Sequence, residues 1–272
     1  MKKWKTLLTA GLLAVSLTAC GTGTSKGEKA TENKNDKTIT VGASANPHAL
    51  ILEKVKPILE KEGYTLEIQI FDDYVLPNTA LDGGELDANF FQHEPYLNDF
   101  NKKKGTDLVA VQKVHIEPLG IYSKNLKDLK DLKEGVEITI PLDSSNGSRA
   151  LKLLAKAGLF EVPDKETVSV ADITKNTKNF KISEVEAKQL SKTLPDVALS
   201  VINSNYALEA GLNPVKDSLF IENSDSPYAN IIVVKKGHEN DEKIKALNKA
   251  ITSEEIKKYI NDEFKGAVVP AF

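Results

Sequence analysis

The sequence predicts an α/β fold with largely parallel sheets, arranged as two lobes. Two observations carry this reading: strand-like and helix-like patterns alternate from residue 38 onward, and two polar breaks divide the run. Alternation of this kind is what strand–helix–strand crossovers produce.

Residues 38–43 open as an apolar strand. Asn46 is placed to cap the helix that follows, with Pro47 at its first position. Ile51, Val55, Ile58 and Leu59 share one face of that helix and Gly63 ends it, while Pro57 lies inside the pattern and predicts a kink or a break. Tyr64, Leu66, Ile68 and Ile70 then alternate with polar residues at a period of two. Further strands are expected over 86–91, 108–115, 119–123, 136–142, 197–202 and 229–234. Helices are expected over 94–104, 149–157 and 204–210, with Gly105, Gly158 and Gly211 beyond their ends, and two more fill 241–264. The charged stretch 123–135 reads as a surface helix after a crossing, and 223–227 (NSDSP) as a second polar break. The expected first lobe is therefore 38–122 plus 228–272, and the second 123–227.

The N-terminus has a different character. Lys2, Lys3 and Lys5 precede the apolar stretch 7–17, which has the order of a secretory signal and is short for a membrane span. Leu17-Thr18-Ala19-Cys20 resembles a bacterial lipobox, in which the cysteine is lipidated and becomes the mature N-terminus; a plain signal peptide with an incidental cysteine is the other reading. Cys20 is the only cysteine, so no disulfide forms within the chain. Two or more acyl chains give the stable bilayer anchoring that one chain does not. Residues 1–19 are thus expected as signal peptide, and 20–37, polar with Ala30 as its one apolar residue after Cys20, as a flexible tether. The folded part is expected outside the cytoplasmic membrane, away from cytosolic ATP and NADH.

Composition excludes several functions. A net charge of −3, with no long basic run beyond the N-terminus, leaves nucleic-acid binding without an electrostatic footprint. No Gly-x-Ser-x-Gly elbow or His-Glu-x-x-His motif occurs, which argues against an exported enzyme. Ligands of open α/β sheets sit beyond the carboxyl ends of strands. Asp72, Asp73 and Tyr74, then Phe91, Gln92 and His93, then Ser144, Ser145 and Asn146, and finally Asn203 and Asn205 all follow predicted strands. Arg149 is the only arginine. It is placed near a helix start, where a bound carboxylate would meet both its planar fork and free backbone N–H groups; pairing with a nearby acid at the surface fits equally well. Tyr74, Phe90, Phe91 and Tyr96 concentrate aromatic surface in a chain that is 6% aromatic, suiting an apolar or thioether side chain, although core packing suits Phe90 better. Asn203 is alternatively a helix cap and Asn230 a turn residue.

The run DDYVLPNTALDGGELDANFFQHEPYL (72–97) resembles the methionine-binding lipoproteins of the NlpA/MetQ family. HIEPLGIYS (115–123), Asn146-x-x-Arg149, VINSNYA (201–207) and SPYANIIV (226–233) do so as well. The resemblance extends from about residue 38 to the end. It implies a type II periplasmic-binding-protein fold with the ligand between two lobes, and an ABC permease with its ATPase as partners. It also implies a monomer without cofactor. By the same resemblance Arg149 holds a substrate carboxylate, and Asn146, Asn203 and Asn230 bind polar ends including an ammonium. Tyr74, Phe91, His93 and Tyr96 line a side-chain pocket, with His115 and Glu117 near it. The substrate so implied is methionine, L- or D-, or a methionine-containing dipeptide. The alternative is a zinc-type metal-binding importer subunit using His48, His93, His115 and Glu117, although no two histidines stand at close ligand spacing. Replacing Cys20 by Ser is expected to abolish labelling by radioactive palmitate and release the protein from the membrane fraction; retained label would remove the lipid anchor.

Overall fold

The computed structural model describes residues 37–223 and 226–272. The signal, Cys20 and nearly all of the tether lie outside these residues. The chain begins with β1 (Thr38–Ala43), a wide helical turn over Ala45–Ala49, α1 (Leu50–Lys61), β2 (Thr65–Ile70) and α2 (Leu76–Gly83). Then come β3 (Ala88–His93), α3 (Glu94–Lys104), β4 (Leu108–Ile116) and β5 (Gly120–Tyr122). The middle of the chain forms β6 (Glu137–Pro141), α4 (Ser144–Lys156), β7 (Lys181–Val185), α5 (Leu190–Thr193) and β8 (Leu199–Ile202), followed by α6 (Ser204–Glu209), α7 (Pro214–Asp217) and β9 (Phe220–Ile221). It closes with β10 (Ala229–Lys235), α8 (Glu242–Ile251), α9 (Glu254–Phe264) and β11 (Val269–Pro270).

Two mixed sheets result, ordered β11-β4-β10-β3-β1-β2 and β7-β6-β8-β5-β9. Each has its own core. Ile39, Val41, Leu52, Phe90 and Ile232 centre the first, and Ile121, Ile138, Leu154 and Val201 the second. Burying side chains of this size contributes roughly 1.5–3 kcal/mol each. The fold is α/β and two-lobed. The sheets are not largely parallel, however. β1 with β2 and β3, and β6 with β7 and β8, pair in parallel, but β10 with β3 and β4, β11 with β4, and β5 with β8 and β9 are antiparallel. Helix alternation foretells parallel neighbours only where a helix makes the crossover. β10 returns from the other sheet and enters without one. β5 likewise reaches the second sheet directly from β4, through residues 117–119, and so pairs there rather than in the first.

Three local expectations also change. Pro57 does not end α1, which runs on to Lys61. Its ring lies in the second half of the helix, on an exposed flank, while Val55 and Leu59 on either side anchor that turn in the core. Asn46 does not cap a helix; it lies in extended conformation (φ −134°, ψ 132°) inside the turn before α1. Residues 123–135 form one tight turn at Leu129–Asp131 rather than a helix, because only Leu126, Leu129 and Leu132 find the second core.

The helices that carry polar residues toward the gap between the sheets are held by local chemistry. His93 ends β3 and caps α3, its Nδ1 accepting the Tyr96 N–H at 3.2 Å, and Gly105 stops that helix with φ +71°. Asp143 caps α4 by accepting the Asn146 N–H at 2.8 Å. Gly147 lets α4 lie close to the end of β6, since a Cβ there would stand 2.8 Å from the Pro141 carbonyl oxygen. Gly147→Ala is therefore expected to lower the melting temperature, although alanine favours a helix by about 1 kcal/mol. An unchanged or raised melting temperature would show that α4 can move aside.

Candidate functional site

The carboxyl ends of β3 and β8, the first turns of α4 and α6 and the strand β10 converge on one narrow cleft with a free volume of about 20 Å³, far below the roughly 300–1,000 Å³ common for small-molecule sites, so its walls stand nearly in contact. From the first sheet's side it is lined by Tyr74, Phe91, Gln92, His93, Tyr96, Glu117 and Asn230, and from the second by Asn146, Arg149, Asn203, Ser204 and Asn205. Asp72, Asp73, Ser144 and Ser145, which also follow strands, do not line it. Of the residues that the resemblance placed at the ligand, His115 alone is elsewhere. It is fully buried on β4 behind Glu117, packed against His48 and Phe90. Gln92, Ser204 and Asn205 were not among the expected ligand contacts. Gln92 had the signal of following a strand, beside Phe91 and His93, and Ser204 had none. Asn205 had one, as a second asparagine just after β8.

One wall is aromatic. Tyr74 packs against Phe91 at 5.9 Å between ring centroids, Tyr96 at 5.8 Å and Tyr206 at 5.1 Å. Phe90 points the other way and is wholly buried in the first core. The two sides meet through hydrogen bonds. Tyr74 Oη donates to Asn205 Oδ1 at 2.6 Å, Tyr206 Oη donates to the Asp72 carbonyl at 3.0 Å, and Ser144 Oγ donates to Asp99 Oδ2 at 2.8 Å. His93 Nε2 lies 3.0 Å from Asn146 Oδ1. Because His93 Nδ1 is already an acceptor, the ring proton sits on Nε2 and donates to Asn146.

Arg149 is the centre of the opposite wall, in the second turn of α4 rather than the first, and buried rather than at the surface. Its Nε lies 3.1 and 3.2 Å from the two Glu222 carboxylate oxygens. Its Nη2 donates to Glu222 Oε2 and, at 2.9 Å, to the Glu117 carbonyl. The Tyr228 ring stacks on the guanidinium, 4.2 Å from its carbon. Both earlier readings are thus met in part: the arginine is paired with an acid, and it lines the cleft. The α4 N-terminus is less open to an anion than the sequence suggested, since Asp143 already takes the Asn146 N–H.

Beside it stands an asparagine chain. Asn146 Nδ2 donates to the Asp143 carboxylate at 3.0 Å, and Asn203 Nδ2 donates to Asn146 Oδ1 at 3.0 Å. Asn203 occupies the cap position of α6 without capping it. Its Oδ1 and the Nδ2 of Asn205 are buried without a hydrogen-bond partner. An unsatisfied buried polar atom costs about 1–3 kcal/mol, so one acceptor and one donor are held ready for a polar ligand. Asn230 lies in β10, not in a turn, and its Oδ1 is 3.0 Å from His48 Nε2.

His48, His115 and Glu117 place three ligand-type atoms within 4.8 Å of one another. The proton positions decide what they do. Nδ1 of both histidines is buried without a partner, whereas Nε2 of His48 and His115 lie 3.2 and 2.8 Å from Glu117 Oε1. Protons on Nε2 therefore satisfy Glu117. A metal on Nε2 would drive them to Nδ1 and leave two buried donors unpaired, without the outer hydrogen bonds that metal-bound imidazoles need. These residues fit a hydrogen-bonded triad and not an ion. Burial pushes His48 down to about 4, and His93 and His115 to about 3, so all three are neutral near pH 7. Burial raises the Glu117 carboxyl, against the pull of His48 and Arg149, and raises that of Asp143 against its bonds from Asn146.

A model of the NlpA lipoprotein family matches residues 39–272. The chain belongs to the NlpA lipoprotein family. It is 40% identical over 272 residues to the methionine-binding lipoprotein MetQ of Bacillus subtilis, covering 97% of this chain and 95% of that protein. It is 38% identical to the D-methionine-binding lipoprotein MetQ of Escherichia coli K12, covering 98% of each. Among solved structures, a nutrient-binding protein from Burkholderia cenocepacia bound to methionine superposes with a TM-score of 0.84 at 43% identity, over 86% of this chain and all of that one. A lipoprotein from Ruminococcus gnavus does so with the same TM-score at 50% identity, over 86% of this chain and 99% of that one.

His93 gives the site a pH signature. Its folded pKa is depressed, so as pH falls through the unfolded value of 6.5 toward 3 the unfolded state binds a proton that the native state refuses, and stability is lost across that window. In urea titrations, His93→Gln is expected to flatten the stability profile between pH 6.5 and 4.5 by about one proton, or about 1.4 kcal/mol per pH unit. Parallel profiles for the two proteins would show that His93 titrates normally.

Proposed function

We propose that this protein is the substrate-binding lipoprotein of an ABC importer, capturing methionine outside the cytoplasmic membrane. The observation that carries the reading is the chemistry of the cleft. One guanidinium stands beside Glu117 and Glu222, with Asp143 bound to the neighbouring Asn146, an unpartnered carbonyl oxygen and amide close by and an aromatic wall opposite. A zwitterion with an apolar tail matches all of these. Its carboxylate would take the guanidinium edge and the Asn205 amide, its ammonium the Asn203 oxygen and Glu117, and its thioether the Tyr74–Phe91–Tyr96 surface. Asn146, Asn230 and His93 would hold these partners in place. The family membership and the methionine-bound neighbour support the same ligand.

Capture by closure follows from the chain path. Strands of the first sheet come from residues 38–116 and 229–270, and those of the second from 120–221. Lobe 1 is then 38–122 plus 228–272 in the main, with the first crossing drawn back to 117–119, and lobe 2 is the chain between. The two crossings form the hinge, and closing it dries the cleft and strengthens its charged contacts. The importer's permease and ATPase would recognise the closed form, with Cys20 holding it at the bilayer and the monomer as the working unit.

Calorimetry on protein freed of bound ligand tests this. L- or D-methionine is expected to bind and zinc is not. Arg149→Ala is expected to cost methionine about 2–5 kcal/mol, because a desolvated carboxylate loses its cation and faces Glu222. Methionine affinity unaltered by Arg149→Ala would remove the proposed pose.

A further inference from the structure

The single cation of the cleft is already neutralised. Glu222 holds one edge of the Arg149 guanidinium, through Nε at 3.1 and 3.2 Å and through Nη2, and the Glu222 side chain keeps only 16% exposure. The same carboxylate accepts the Leu119 N–H at 3.3 Å, so it also joins the two segments that cross between the sheets. Among the described residues no hydrogen bond is made by Nη1 of Arg149, and that edge remains for the cleft. The three nearby imidazoles carry no positive charge at neutral pH, and Asp143 and Glu117 add further acid. An arginine in this setting offers a carboxylate its N–H geometry but little net charge.

We infer that Glu222 is a specificity-determining residue: by cancelling the charge of Arg149, it makes the cleft refuse simple carboxylate anions and accept only acids that bring their own cation. A free guanidinium attracts any carboxylate that reaches it, and an exported receptor meets many organic acids with apolar tails. With the Arg149–Glu222 pair, the site sums to zero at most, and to a negative value when Glu117 is ionised. A zwitterion enters without adding charge, and its ammonium meets the surplus acid. A monoanion of the same shape adds an unpaired negative charge to a buried site that has none to spare. Glu222 does not line the cleft, so it acts through Arg149 rather than on the ligand.

The inference rests on the methionine reading, and one experiment separates the two. Calorimetry compares methionine with its des-amino analogue, a methylthio-butanoate, on the unsubstituted protein and on Glu222→Gln, which keeps the size of the side chain and its bond to Leu119 but removes the charge. The expected result is that Glu222→Gln raises the affinity of the analogue relative to methionine by at least ~10-fold, the factor that one unit of charge interaction commonly supplies at a partly buried site. Glu222→Asp, which keeps the charge, should retain the discrimination of the unsubstituted protein. Equal losses for both ligands in Glu222→Gln would make Glu222 a structural brace and overturn the inference. If Glu222→Gln does not fold, Glu222→Ser admits water at this partly exposed position and is read in the same way. Failure of methionine to bind the unsubstituted protein would instead remove the underlying reading.

Discussion

The Arg149 guanidinium is the joint on which the rest of the site depends. It is carried by a helix of the second lobe, it donates to the Glu117 carbonyl where the chain first crosses between sheets, and it is held by Glu222 and Tyr228 on either side of the return crossing. A buried cation must be compensated, and here the compensating groups lie on the segments that would bend if the lobes moved. The position of the charge and the path of the two crossings are therefore one constraint. A ligand bound at the remaining edge of the guanidinium would feel both.

Around this joint the cleft divides its chemistry by sheet. The first lobe supplies rings and neutral imidazoles, with Gln92 tied into a buried network with Asn78 and Asn89. The second supplies Asn146, Asn203, Asn205 and the arginine, from the starts of the helices that follow β6 and β8, while Asn230 comes from β10 of the first. Such helix starts are rigid and rich in oriented N–H groups, which suits the polar end of a ligand. The aromatic wall needs no directional bonds and can tolerate a flexible side chain.

The histidines illustrate how burial sets a role. His48, His93 and His115 have the residue type of metal ligands, yet each is dry and neutral, with its ring proton fixed by a carboxylate or amide oxygen. They serve as hydrogen-bond donors that orient Asn146, Glu117 and Asn230. A polar network completed in this way has one low-energy arrangement, which keeps the cleft-facing atoms in place.

The sequence by itself determined the order of the main strands and helices, because period and end residues such as Gly105 and Gly158 are local properties of the chain; α2, β7, α5, α7, β9 and β11 were not among its expectations. It also determined which residues to suspect: Tyr74, Phe91, His93, Tyr96, Asn146, Arg149, Asn203 and Asn230 were legible from their places after strands and from family motifs, and all of them line the cleft. Only the tertiary structure decided the antiparallel pairings of β4, β5 and β10, since these depend on where a returning strand finds an open edge. It also decided that Pro57 stays within a helix, that His115 lies behind Glu117, and that Glu222 is the partner of Arg149. Arg149 and Glu222 are separated by 73 positions. No local pattern joins residues so far apart; only the packing of α4 against the return crossing brings their charges into contact and makes them necessary to each other.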